Sequence, residues 1–161
     1  MFESSAWMLL PFFGLCALTA TTGAVFRPGP WYEVIPKPRW TPPDWLFPPA
    51  WSLLYCALAV SAWLLWRDGG WSGAALPLAL WLLQLVLNAA WSWLFFGLRR
   101  PDLALIDAVA MWLAALALII VAFPINAWAA WLLVPYLAWV GFATALNRVI
   151  WQRMRAGMVA E

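Results

Sequence analysis

The side chains able to do chemistry in this chain are indoles, phenols, amides and one carboxylate, and their spacing gathers them. The run WYEVIPKPRWTPPDWLFPPAWSLLY carries Trp31, Tyr32, Trp51 and Tyr55 among Pro36, Pro38, Pro42, Pro43, Pro48 and Pro49. Further on, Trp81, Gln84, Asn88, Trp91 and Phe95 recur at three- and four-residue spacing, which is one face of a helix. Tyr136, Trp139, Ala143 and Asn147 form a second such stripe, and Asp107 stands inside an otherwise apolar run. This set stacks and hydrogen-bonds. The chain has no histidine, and its two cysteines, Cys16 and Cys56, lie in apolar runs. A histidine metal site, a Ser-His-Asp triad and a zinc cluster are thereby excluded, and no structural disulfide is expected.

The elements that must position these residues are membrane helices. Apolar residues make up 66% and charged residues 10% of the chain, against about 45–50% and about 25% in soluble domains. A bilayer span needs about 20 mostly apolar residues. Residues 5–26, 46–66, 74–98, 103–123 and 127–151 meet this, so the expected fold is all-α. It is a five-transmembrane-helix bundle with a long Pro/Trp-rich first loop, and residues 1–161 form one domain. Glu3 in place of a basic start argues against a signal peptide. Asp44, Ser72, Asp102 and Asn126 stand where helix N-caps belong, and Pro11, Pro77 and Pro135 are candidates for kinks. Prolines remove N–H donors and fix φ, so the stretch from Trp31 to Asp44 is expected to be an extended, stiff loop.

Five crossings place the first loop and the C-terminus on one face, with Arg27, Lys37, Arg39, Arg99, Arg100, Arg148, Arg153 and Arg155. The other face keeps Arg67 beside Asp68. This asymmetry predicts a cytoplasmic position for the loop if the host is a bacterial inner membrane. The polar groups within the spans all fall in the half nearest that loop, where they serve either as interhelical glue or as a pocket. The pocket reading has Trp51, Trp91 and Trp139 as walls and the loop as a lid, while Trp40 and Trp45 suit an interfacial belt. The cations at the rim either take ligand carboxylates or serve only as headgroup anchors. A flat, apolar dicarboxylate, of which metal-free porphyrin is one, satisfies walls and rim together.

The Trp31–Tyr55 run resembles the signature of the TspO family of tryptophan-rich sensory proteins, which includes the translocator proteins. QLVLNAAWSWLFFG at Gln84–Gly97, ALIDA at Ala104–Ala108 and VPYLAWVGFATALN at Val134–Asn147 agree with it. The resemblance implies a five-helix protein, commonly a homodimer, that binds protoporphyrin-like tetrapyrroles in a cavity under the first loop. It also implies benzodiazepine-type drugs and membrane lipids as partners, with no obligatory cofactor, no metal and no nucleic acid. On this pattern the ligand site takes in Trp31, Tyr32, Trp51, Tyr55, Asn88, Trp91, Asp107, Tyr136, Trp139, Ala143 and Asn147. Alternative expectations are light- and oxygen-dependent porphyrin breakdown, with Trp51 and Trp139 as candidate reacting residues, and transport of porphyrins or other small molecules. Arg148 stands where the family's sterol motif has a tyrosine, which argues against sterol recognition by that route. Ala17/Thr21, Ala20/Ala24 and Ala75/Ala79 have the small-xxx-small spacing of packed membrane helices.

Overall fold

A computed structural model describes residues 6–159, and every regular element among them is helical. Numbered in chain order, they are α1 (Leu9–Val25), α2 (Pro30–Val34), α3 (Phe47–Gly73), α4 (Ala75–Ser92), α5 (Pro101–Ala122) and α6 (Ala127–Val159). A 3-10 turn at Asp44–Leu46 leads into α3, and a π-helical turn at Trp93–Gly97 ends α4. The helices α3 to α6 are each long and apolar enough to cross a membrane, and α1 is a shorter apolar helix of 17 residues. The chain is an integral membrane protein.

Several element boundaries differ from expectation. The start of the first expected span, Ser5, lies outside the described residues, and α1 begins only at Leu9. The third helix runs seven residues beyond 66, to Gly73, and Arg67 and Asp68, paired at 2.6 Å, keep their charges on its surface. Only Gly70, at φ +64, interrupts it, in a conformation that glycine adopts without Cβ strain. Ser72 therefore lies inside the end of α3 and caps nothing; Ala74 precedes α4 without a side-chain cap. Asn126 does cap: its Oδ1 accepts the Ala129 N–H at 2.8 Å. Asp102 is the second residue of α5, after Pro101, and pairs with Arg100 at 2.6 Å. Pro11 and Pro77 fall in first turns, where an absent N–H costs little, so Pro135 alone sits in a helix interior. The connection between α1 and α3 is not uniformly extended. Pro30 opens the short helix α2, since its fixed φ is preset for a first helical position.

α5 packs between α4 and α6, α3 lies on α6, and α1 fills the groove between α3 and α4. The far half of the bundle, away from the connection, is densely filled. Leu58, Leu65, Leu118 and Leu133 are fully buried there, beside Trp81. Trp81 ties three helices together: its ring meets Phe12 edge-on at 5.4 Å, and its Nε1 donates to Leu58 O at 2.9 Å. At the other end Tyr32, Ile35, Phe95, Ala104, Leu146 and Ile150 form a second, smaller core under the connection.

Candidate functional site

Between these two cores the bundle does not close. A cavity of about 680 Å³ remains among α1, α3, α4, α5 and α6, within the 300–1,000 Å³ typical of ligand sites. Trp51 and Tyr55 from α3 form one wall, at 5.6 Å and a tilt of 34° from each other. A second wall comes from α6, where Trp139, Ala143 and Asn147 lie one turn apart. Asn88, Trp91 and Phe95 line the α4 side. The π turn after α4 adds a residue to the helical path and turns Phe95 inward, where it stacks on Trp91 at 4.9 Å and 16°.

The polar atoms among the walls are largely spoken for. Tyr55 Oη donates to Asn88 Oδ1 at 2.7 Å, and Asn88 Nδ2 is the donor toward Met111 Sδ at 3.9 Å. Trp91 Nε1 donates to Asn147 Oδ1 at 3.1 Å, while Asn147 Nδ2 donates to Pro101 O at 2.8 Å. Beneath the floor, Tyr136 Oη donates to Gln84 Oε1 at 2.9 Å and Gln84 Nε2 donates to Met111 O at 3.1 Å. Glue and cavity are thus one structure. The amides hold aromatic rings in place, and the open space is bounded mainly by ring faces and methyl groups.

Of the residues singled out from the sequence, Tyr32, Trp51, Tyr55, Asn88, Trp91, Trp139, Ala143 and Asn147 line the cavity. Trp31, Asp107 and Tyr136 do not. Trp31 packs edge-on against Phe95 at 5.8 Å, and Tyr136 is wholly buried one layer below Trp51. Asp107 is buried behind the wall beside Ala108, and its Oδ2 has no hydrogen-bond partner among the described residues. Neither Arg99 nor Arg148 forms an ion pair with it within the described structure. Removing that buried carboxylate charge with an isosteric amide relieves a desolvation cost. Asp107→Asn is therefore expected to leave the thermal midpoint in detergent unchanged or raised, and a fall of several degrees would show that the carboxylate has a stabilising partner.

The basic rim is also smaller than expected. Arg27 alone among those cations lines the cavity, with Asp44 across the opening. Lys37 is engaged by its own segment: its Nζ donates to Tyr32 O at 2.6 Å and lies 4.0 Å from the Tyr32 ring centre. Burial, and then the Asp44 carboxylate, push the Tyr32 phenol up to about 12, so it is a neutral, docked ring at physiological pH. Arg39, Arg99 and Arg148 are exposed away from the opening.

Sequence reasoning missed the α1 wall. Ala20, Gly23 and Ala24 face the cavity, although Ala20/Ala24 had the spacing of a helix-packing pair. Small residues carry the same signal for close packing and for open space, so spacing alone does not distinguish the two.

The order of these walls along the chain matches a known pattern. Residues 7–152 fit the sequence profile of the TspO/MBR family. The chain belongs to the TspO/MBR family. It is similar to the tryptophan-rich sensory protein of Cereibacter sphaeroides, with 39% identity over 155 residues, covering 93% of this chain and 96% of that one. Protein CrtK of Rhodobacter capsulatus is 39% identical over 145 residues, 88% of this chain and 89% of its own. The similarity extends to the translocator protein of Homo sapiens, 41% identical over 124 residues, 76% of this chain and 73% of that protein. Membership thus rests on nearly the full bundle, and the cavity walls lie within the matched residues.

Proposed function

We propose that this TspO/MBR-family protein is a membrane receptor that binds flat, hydrophobic, tetrapyrrole-like ligands in the cavity beneath the α1–α3 connection. In this reading α1 is the fifth membrane span, and the connection with the C-terminus of α6 faces the cytoplasm when the host is an inner membrane. The observation that carries it is the composition of the walls: Trp51, Tyr55, Trp91 and Trp139 surround a space of ligand size whose amides are already paired. Such a site selects by shape and stacking, at about 0.5–1.5 kcal/mol per ring beyond burial. The connection serves as a lid. Tyr32 packs on Phe96 at 5.5 Å and Trp40 on Phe142 at 5.7 Å, which docks the connection on α4 and α6, and Phe47 at the start of α3 meets Trp139 at 5.9 Å.

Titration of the purified protein with protoporphyrin should quench tryptophan fluorescence saturably. The paired substitution Trp51→Phe with Trp139→Phe should weaken binding roughly tenfold, since two stacking faces shrink. Unchanged affinity in the double variant would place the ligand elsewhere.

A further inference from the structure

We infer that the cavity is filled sideways from the bilayer, through a gap between the end of α1 and the start of α3, and that its ligand is a membrane-dissolved amphiphile whose anionic end meets Arg27. This deepens the ligand-binding reading above and rests on the cavity being a ligand site.

The packing of α1 changes along its length. Its buried residues are Phe12, Cys16 and Thr19, and from Ala20 to Val25 none is buried. The first three turns carry all of its buried residues, and beyond them the chain is next held where Phe26 lies against Gly97 at the π turn. Between the two, Ala20, Gly23 and Ala24 line the cavity and are nevertheless exposed, and a Cβ placed on Gly23 would meet no atom within 4 Å. Across the gap, Pro48 and Ser52 of α3 also line the cavity and are exposed.

The local chemistry accounts for the opening. Methyl groups and a bare Cα are too short to reach the facing helix. The available hydroxyls turn back onto their own helices: Thr19 donates to Leu15 O at 3.1 Å, Thr22 to Thr19 O at 2.7 Å and Ser52 to Pro48 O at 2.8 Å. Back-bonding of this kind satisfies the hydroxyl locally and bends helices rather than joining them. Nothing polar draws the two walls together.

The gap opens at hydrocarbon depth. Leu18 and Val25 on α1 and Leu53 on α3 point outward from the same stretches of helix, at 65%, 72% and 72% exposure, a surface that suits acyl chains and not water. The roof is closed on the α4 and α6 sides, while the exposed lining residues Arg27, Pro28 and Asp44 carry the gap up to the rim. Tyr32 is buried against Phe95 and Phe96, and Arg153 Nη1 donates to Lys37 O at 2.9 Å, fastening the connection to α6. Arg27 follows α1 two residues past Val25, and its Nε donates to Ala24 O at 2.8 Å. It is the one cation among the described lining residues, and it forms no ion pair with Asp44. An acid group at headgroup level would meet this guanidinium while the apolar body passes beneath it.

The test uses the full chain in phosphatidylcholine vesicles that contain a phospholipid with a diazirine on its acyl chain. Illumination should place adducts on Trp51 and Tyr55 inside the cavity as well as on lipid-facing Leu18 and Leu53. Gly23→Phe, whose ring enters open space, should remove the inner adducts and keep the outer ones, and Gly23→Ala serves as the folding control. Adducts confined to outer residues, or inner adducts unaffected by Gly23→Phe, would overturn the side entrance. In a second arm, protoporphyrin preloaded into the vesicles should enter and leave Gly23→Phe at least roughly tenfold more slowly, whereas a ring that merely took up ligand space would speed release. Arg27→Gln should weaken protoporphyrin binding roughly tenfold and leave its dimethyl ester unaffected, because only the free acid offers a charge to the guanidinium. Equal losses for both forms would overturn the anionic-end assignment. Inner acyl adducts without protoporphyrin uptake would refute the tetrapyrrole reading and uphold the side entrance, so the two failures are distinct.

Discussion

Trp81→Ala should lower the thermal midpoint of the purified protein by roughly 6–12 °C, equivalent to about 3 kcal/mol for a chain of this size. The side chain is 1% exposed and sits where α1, α3 and α4 meet. Its loss removes the edge contact with Phe12 and the hydrogen bond to Leu58 O, and leaves a void that rigid helices do not refill. The estimate lies at the low end of the range for such truncations, because lipid is as apolar as the core and the transfer contribution shrinks. Trp81→Phe keeps the edge contact and loses the indole N–H, so it should cost only about 1 kcal/mol. Trp81 does not line the large cavity. Protoporphyrin affinity, measured well below the midpoint, should therefore be unchanged in both variants. A midpoint within two or three degrees of wild type for Trp81→Ala would mean that this junction does not hold the bundle together.

Asn147→Leu should weaken ligand binding and stability together, by about 1–2 kcal/mol each, through loss of a buried polar link. Asn147 is 1% exposed and bridges Trp91 Nε1 to Pro101 O, so it fixes a wall of the cavity and the entry to α5. Leucine leaves the indole N–H unpaired and frees the Trp91 ring from its stack on Phe95. The alternative is that Asn147 contacts ligand directly. A double-mutant cycle with Trp91→Phe separates the two. A positioning role predicts that Asn147→Leu adds little once Trp91 has lost its N–H, for every ligand alike. A contact role predicts an undiminished loss in the Trp91→Phe background, for hydrogen-bonding ligands only, with no change in midpoint.

These predictions show which parts of the protein were legible in the chain and which were not. The helices were legible because hydrocarbon permits few other backbones, and long apolar runs announce themselves. The stripes on α4 and α6 were legible because a 3.6-residue period places Asn88 with Trp91 and Trp139 with Asn147 whatever the neighbours do. Helix ends were less so. Gly70, not Ser72, decides where α3 turns, and Pro30 starts a helix that runs into a stretch whose prolines argued for an extended loop. The polar residues were visible as a group, but not in their pairing. Asn88 and Asn147 bind tyrosine and tryptophan partners 33 and 56 residues away, distances over which sequence carries no register.

By itself, then, the sequence determined the membrane setting, the aromatic character of one half of the bundle and the family to which the chain belongs. Each of these depends on residue type and local spacing. The tertiary structure decided that the cavity exists, that its amides serve its walls, that Asp107, Trp31 and Tyr136 stand behind them, and that α1 closes on α3 at one end only. Those outcomes depend on how far apart two helices come to rest. That distance is set by every side chain between them, and no single stretch of sequence records it.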